Sequence, residues 1–262
     1  MSEKGSMSVP VELHFRRLGS GAPVIILHGL FGSGDNWGTV GNLLSTRSEI
    51  FLVDQRDHGR SPHTDRITYG LMADDVKALV GQLGLRDVVL VGHSMGGKTA
   101  MHFAQRYPDL VKQLVVVDMG PREYSADNHA NILTALLTSD LPGKRSRGEV
   151  EAHLARSITE PGVVQFLMKS LYWKEEGTLA WRFNVPIIAR DIADIVASAG
   201  ADVVRTPTLF IRGGKSDHIT REDVPAIMEQ FTNARIETIP YAGHWVHAQA
   251  PDEVAGLIGA LV

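Results

Sequence analysis

A chain of 262 residues, 44% apolar and 21% charged, is long enough for one α/β domain with an ordinary core and too apolar to be disordered. Its net charge of −4, with basic residues dispersed, leaves no electrostatic footprint for nucleic acid or an anionic membrane. The lack of cysteine excludes disulfides, thiol catalysis and thiolate metal sites. At the start, MSEKGSMSVP has no apolar signal-peptide core, and no apolar run reaches the roughly 20 residues that span a bilayer. Residues 1–9 are therefore expected to be a flexible lead and the protein to be cytoplasmic.

His14 falls in a first strand, and the runs APVIILHG, EIFLVDQ, DVVLVGHS, VKQLVVVDM, TPTLFIRGG and RIETIPYAG read as further, buried strands. Their near-continuous apolarity predicts a parallel sheet covered on both faces. Between them, NWGTVGNLLS, TYGLMADDVKALVGQLG, KTAMHFAQRYP, REDVPAIMEQF and PDEVAGLIGALV carry helical periodicity, which makes a βαβ succession. Residues 119–205 interrupt it with helix-like pieces (NHANILTALLTSD, EVEAHLARS, GVVQFLMKSLYW, IADIVASAG) and no convincing strand. The expected organisation is a core of residues 10–118 and 206–262 with a helical cap, 119–205, over the carboxyl ends of the strands, where open α/β sheets bind ligands.

Within this frame VGHSMGG acquires meaning, because a nucleophile elbow requires a strand, a sharp turn and a helix in that order. DVVLV precedes Ser94 and KTAMHFAQRYP follows it, while Gly92 and Gly96 remove Cβ atoms where strand and helix converge. Ser94 is the expected nucleophile; the competing reading is a turn serine bonded to local backbone. A serine needs an imidazole to take its proton and a carboxylate to orient that imidazole, in the chain order Ser, acid, His. His14, His28, His93 and His102 come too early, and His129 and His153 fall in the cap, where surface exposure is expected. Of His218, His244 and His247, only His244 sits in a short glycine-containing loop between a strand and the last helix. His247 is expected to pack or cap; as part of an H-x-x-H metal pair it lacks a third ligand. For the acid, Asp118 at the end of LVVVD and Asp217 after LFIRGG both reach the carboxyl edge of the sheet. The oxyanion donors are expected to be the N–H groups of Met95, directly after the nucleophile, and Leu30, in the turn after VIILHG, with Phe31 next. The turn DQRDHGRSP is expected to brace neighbouring loops, with no chemistry for Arg56 or His58.

Six motifs in order, HGLFGS, DQRDHGRSP, GHSMGGKTAM, WRFNVP, FIRGGKS and YAGHWVH, resemble the α/β-hydrolase superfamily over nearly the whole chain from about residue 11. The chain resembles quite closely the small cap-bearing bacterial carboxylesterases of the YbfF type. The resemblance implies an α/β-hydrolase fold: a mostly parallel central sheet flanked by helices, with a helical cap inserted before the last two strands. In most of the superfamily the acid follows the strand corresponding to LFIRG; here Ser216 stands at that place, with Asp217 one residue late. The YbfF-type relatives carry a serine there too and use an aspartate ending the earlier strand. The resemblance therefore favours Asp118 over Asp217, with Ser216 hydrogen-bonding near His244.

Tyr172, Trp173, Trp181 and Phe183 concentrate aromatics in the expected cap. They read as cap core, or as an apolar substrate wall; the residues nominated for the pocket are Phe31, Trp37, Tyr124, Trp173, Trp181, Ser216 and Val246, beside Leu30 and Met95. Together these features point to a serine hydrolase of short- to medium-chain carboxylic esters or thioesters, working through an acyl-enzyme without metal or cofactor. The expected partner is a small-molecule ester, with no nucleic acid or membrane. Its activity should rise through a limb at roughly pH 6 to 7. Carbon–carbon bond hydrolases and cofactor-free perhydrolases use a similar triad; a ligand-binding receptor on this fold would show a damaged one.

Overall fold

A computed structural model of the protein describes residues 9–262 except residue 176; of the expected lead, 1–9, all but Val9 lies outside the described residues. In chain order the elements are β1 (Phe15–Gly19), β2 (Ala22–Leu27), α1 (Gly38–Leu44), β3 (Ser48–Val53), α2 (Tyr69–Gln82), β4 (Val88–His93), α3 (Met95–Arg106) and β5 (Val111–Val117). The segment that follows contains α4 (Ala130–Leu137), α5 (Arg147–Leu154), α6 (Pro161–Met168), β6 (Leu171–Glu175), β7 (Thr178–Trp181), α7 (Val185–Arg190) and α8 (Ile192–Val196). The chain closes with β8 (Thr208–Gly213), α9 (Val224–Gln230), β9 (Ala234–Ile239), α10 (Val246–Gln249) and α11 (Pro251–Gly259).

Seven strands form one sheet in the order β1-β3-β2-β4-β5-β8-β9, with β1 antiparallel to β3 and every other pairing parallel. The first strand begins at Phe15, one residue after His14. Alternate side chains leave a strand on opposite faces, and the buried strands feed two cores at once. Ile25, Leu27, Val88 and Leu90 pack under α2 and α3, while Val24, Ile26, Val89 and Val91 pack on the other face with α1 and α11. This explains their continuous apolarity: neither face meets water.

The segment between β5 and β8 builds a third cluster of its own. It is not purely helical. β6 and β7 form an antiparallel hairpin pairing Leu171 with Trp181 and Tyr172 with Ala180, turned at Gly177, whose φ is +80°. The expected helix GVVQFLMKSLYW accordingly stops at Met168. Its tail has aromatic residues that suit a strand as well as a helix, and the decisive partner, Trp181, is ten positions further on. This third cluster reaches the main domain through Leu30, Phe31, Tyr69, Met72 and Met95. Asn184 seats the layer by bonding Asp57 Oδ1 at 2.8 Å. No helix among the described residues is long and apolar enough to cross a membrane.

Candidate active site

β4 runs straight into α3 with a single residue, Ser94, between them. Ser94 holds φ +52° and ψ −119°, a conformation costly for any L-residue with a side chain. The turn closes because no Cβ is present on either side. A Cβ on Gly92 would lie 2.1 Å from the Gly96 carbonyl oxygen, and one on Gly96 would lie 2.5 Å from that of Leu27. Although Ser94 occupies the N-cap position of α3, its hydroxyl makes no capping bond, contrary to a turn serine that serves its own backbone. It lines a cavity of about 360 Å³ together with Leu30, Met95, His218 and His244.

His244 stands in the loop after β9. Its Nδ1 lies 2.8 Å from Asp118 Oδ2. Asp118 follows β5, is fully buried and adopts φ +49°. Its Oδ1 accepts the Gly213 N–H at 2.8 Å, and its Oδ2 also accepts the Ser216 hydroxyl. Both carboxylate oxygens are thus occupied by donors, as a buried anion requires. Burial raises the Asp118 carboxyl, against the pull of Ser216, Gly213 and His218. The other nominated acid, Asp217, is 97% exposed and lies 3.5 Å from His218 Nδ1, paired with that ring. Ser94 and His244 face one cavity without a hydrogen bond between them among the described residues, a contact that in free enzymes often closes only on the substrate.

Burial pushes the His244 imidazole down to about 3, with His247 adding to the effect. The ring is therefore neutral at physiological pH. With Nδ1–H committed to Asp118, Nε2 remains as the acceptor. The expected limb at pH 6 to 7 rests on an ordinary histidine; the burial of this ring acts to lower it.

His244 is one of four imidazoles in a row. His218 stacks on it at 3.7 Å and 13°, while His93 lies 4.7 Å from it and His247 follows at 4.6 Å from His93. Trp37 ends the row, stacked on His247 at 4.3 Å. His93 Nε2 also bonds the His244 carbonyl at 2.9 Å, which ties the elbow strand to the histidine loop. Among the described residues, Asp118, His218 and His244 bring ligand atoms within 4.8 Å of one another. The set does not fit a metal ion. Imidazole binds metals in its ring plane at about 2 Å, and an ion in the plane of one of these two nearly parallel, stacked rings lies well out of the plane of the other.

Among the described residues the N–H groups of Leu30 and Met95 meet no acceptor, whereas the Phe31 N–H is taken by His58 Nε2 at 3.2 Å. Phe31, with φ +62°, is thereby a fixed hinge of the loop rather than a free donor. His58 is aimed by the Arg56 carbonyl at its Nδ1, and Arg56 in turn forms a fully buried bidentate pair with Asp75 at 2.6 and 2.7 Å. The bracing expected of the DQRDHGRSP turn thus ends on the loop that carries Leu30 and Phe31.

Of the residues nominated for the pocket, Phe31, Trp37 and Tyr124 line the cavity. Trp173 does not: on the outer side of the hairpin it is 45% exposed. Trp181 stacks on Phe183 at 5.3 Å inside the third cluster, and Val246 is buried in the core on the α1 and α11 side of the sheet. Ser216 serves Asp118 behind the cavity wall. The apolar wall comes instead from Ile132, Val163, Phe166 and Leu167, whose helical spacing reads equally well as cap core. His129, expected at the surface, also lines the cavity, as do His218 and Lys98; nothing in their local sequence distinguishes them.

The family described as the alpha/beta hydrolase family matches residues 24–257. The chain is similar to the sn-1-specific diacylglycerol lipase ABHD11 of Danio rerio, 39% identical over 92% of this chain and 78% of that one. It is similar to Esterase YbfF of Escherichia coli strain K12, 35% identical over 89% of this chain and 90% of that one. A solved marine microorganism esterase superposes with a TM-score of 0.93 at 42% identity, covering 96% of this chain and all of the other.

Proposed function

The chain belongs to the alpha/beta hydrolase family and is an ester-hydrolysing enzyme, and from that premise we propose that it is a serine carboxylesterase whose triad is Ser94, His244 and Asp118. The observation that carries the reading is the 2.8 Å bond from His244 to buried Asp118 at the back of the cavity that Ser94 lines.

The chemistry follows from the positions. Ser94 Oγ attacks the ester carbonyl while His244 Nε2 takes its proton, and the imidazolium is stabilised by Asp118. The carbonyl oxygen becomes an oxyanion held by the unpaired N–H groups of Leu30 and Met95, each worth about 3 to 4 kcal/mol in such sites. The intermediate collapses with cleavage of the bond to the leaving oxygen, or sulfur in a thioester, which takes the proton from His244. Water then attacks the acyl-enzyme by the same route and releases the acid. No step calls for a metal or cofactor.

A cavity of about 360 Å³ with apolar walls supports short- to medium-chain acyl groups. We place residues 119–205 as its cap, since Phe166 and Ile132 of that segment form the wall. The test is a panel of p-nitrophenyl esters from acetate to palmitate, with acylglycerols beside them because one relative's name specifies diacylglycerol. The reading expects kcat/KM to peak at short or medium chains; a peak at palmitate, or no turnover of any member, contradicts it.

A further inference from the structure

Lys98 is a buried amine that this chemistry does not use; burial lowers its pKa to about 7, and the three carbonyl acceptors around Nζ favour its ammonium form. It lies on α3, one turn beyond Ser94, whose carbonyl accepts its N–H at 3.1 Å. From there its side chain reaches the two stems by which the cap segment leaves and rejoins the core. Nζ donates to the Arg122 carbonyl at 2.8 Å on the entry stem, and to those of Val196, at 3.1 Å, and Ala197 on the exit stem. An ammonium has three N–H donors, so all are committed to backbone. The rings of Tyr124 and Tyr69 lie 4.8 and 6.0 Å from Nζ, a favourable surround for a cation withdrawn from water.

The acceptors on the exit stem are the last carbonyls of α8 and its C-cap, which have no partner within the helix. Tyr69, on α2, completes the arrangement by donating its hydroxyl to the Ile195 carbonyl. Three successive carbonyls, Ile195 to Ala197, are therefore held by core side chains. The stems also bond each other, Tyr124 N–H to Val196 O at 2.9 Å and Ala199 N–H to Pro121 O at 2.7 Å. A methionine of similar length would fill the same space, so packing alone does not call for lysine; the carbonyls of Arg122 and Ala197, which meet no other donor among the described residues, do. Lys98, Tyr69, Tyr124, Ile195 and Val196 together form one wall of the cavity.

We infer that Lys98 is a specificity-determining residue: by latching both stems of the cap to the nucleophile's helix, it fixes the wall that limits acyl-chain length. The inference rests on the esterase reading above. Lys98→Met removes all three donors and lets the exit stem withdraw. The ratio of kcat/KM for p-nitrophenyl decanoate over acetate should rise about tenfold, the scale on which pocket depth discriminates methylenes. Hydrogen exchange at the Tyr124 and Ala199 amides should accelerate in parallel. Lys98→Gln, which keeps two N–H donors, should fall between wild type and Lys98→Met in both readouts.

A folded Lys98→Met with wild-type ratio and wild-type exchange overturns the inference. Where Lys98→Met does not fold, Tyr69→Phe takes its place, since it removes a single hydroxyl from the same stem. It should shift ratio and exchange in the same direction by less, and no shift in either overturns the inference. If the wild type hydrolyses no ester, the esterase reading fails, while the exchange rates still decide whether the latch exists.

Discussion

His244 Nδ1 sits 2.8 Å from Asp118 Oδ2, although 126 positions separate the two residues in the chain. The parallel sheet brings them together, because β5, β8 and β9 lie side by side in that order, Asp118 N–H bonds the Ile211 carbonyl of β8 at 2.8 Å, and the loop after β9 carries His244. Asp118→Asn keeps the shape but lets the wrong histidine tautomer form, and kcat should fall by about 10⁴. Asp217→Asn, at a side chain 97% exposed, should stay within about threefold of wild type. Steady-state kinetics on a short p-nitrophenyl ester decide between them; the reverse ranking would falsify the assignment.

The pH profile follows from the buried imidazole. His244 must be neutral to act as a base, and burial lowers its pKa to about 3. Activity is present above the folded pKa and lost as pH falls through it. The acid limb of kcat/KM on a substrate that does not itself titrate should therefore lie well below the ordinary histidine value of about 6.5. A limb at or above that value contradicts the environment described for His244.

Stability should have its own acid limb. His28, His58, His93 and His247 are buried, and burial lowers the pKa of each, to about 3 for His58. Below the unfolded value of about 6.5 the unfolded chain binds protons that the native state refuses, so stability is full above that pH and declines below it. Each such group contributes a slope on the order of 1.4 kcal/mol per pH unit until its native pKa is reached. Urea midpoints measured from about pH 8 to about pH 5 should be level and then drop steeply; a midpoint independent of pH is the contrary result.

Arg56 offers a test of the bracing beneath the Leu30–Phe31 loop, the proposed oxyanion loop. Its pair with Asp75 is fully buried, and burial already raises the Asp75 carboxyl. Arg56→Ala leaves that carboxylate uncompensated and should cost about 3 to 5 kcal/mol. The chain from Arg56 through His58 to the Phe31 N–H also loosens the loop. Activity should consequently fall at temperatures where the variant is still folded. Urea denaturation together with kcat under native conditions checks both parts.

The βαβ succession was legible because each strand is buried on both faces and each helix carries its own period. Ser94, His244 and the two free amides could be nominated from local rules of chain order, glycine placement and turn chemistry. The hairpin was hidden, since Tyr172 and Trp173 suit either a helix end or a strand and their cross-strand partners are remote. The pocket was hidden for a related reason. Phe166 and Leu167 look like cap core in sequence, and which helix face turns toward Ser94 depends on how the segment between β5 and β8 packs against the sheet. Trp173 shows the converse: a conspicuous aromatic that the hairpin turns outward. Lys98 left no local sign, because its three acceptors are backbone carbonyls supplied by residues 24 to 99 positions away.

Formation of a covalent acyl-enzyme on Ser94 is the step on which the proposed mechanism turns. Rapid mixing of the enzyme with excess p-nitrophenyl acetate, followed by intact-mass and peptide mapping of acid-quenched protein, reads this directly. The expected result is a burst of p-nitrophenol stoichiometric with enzyme and an acetyl group on the peptide containing Ser94, both lost in Ser94→Ala. Hydrolysis by Ser94→Ala at near wild-type rate, or an acetyl group mapped to another residue during turnover, would contradict it.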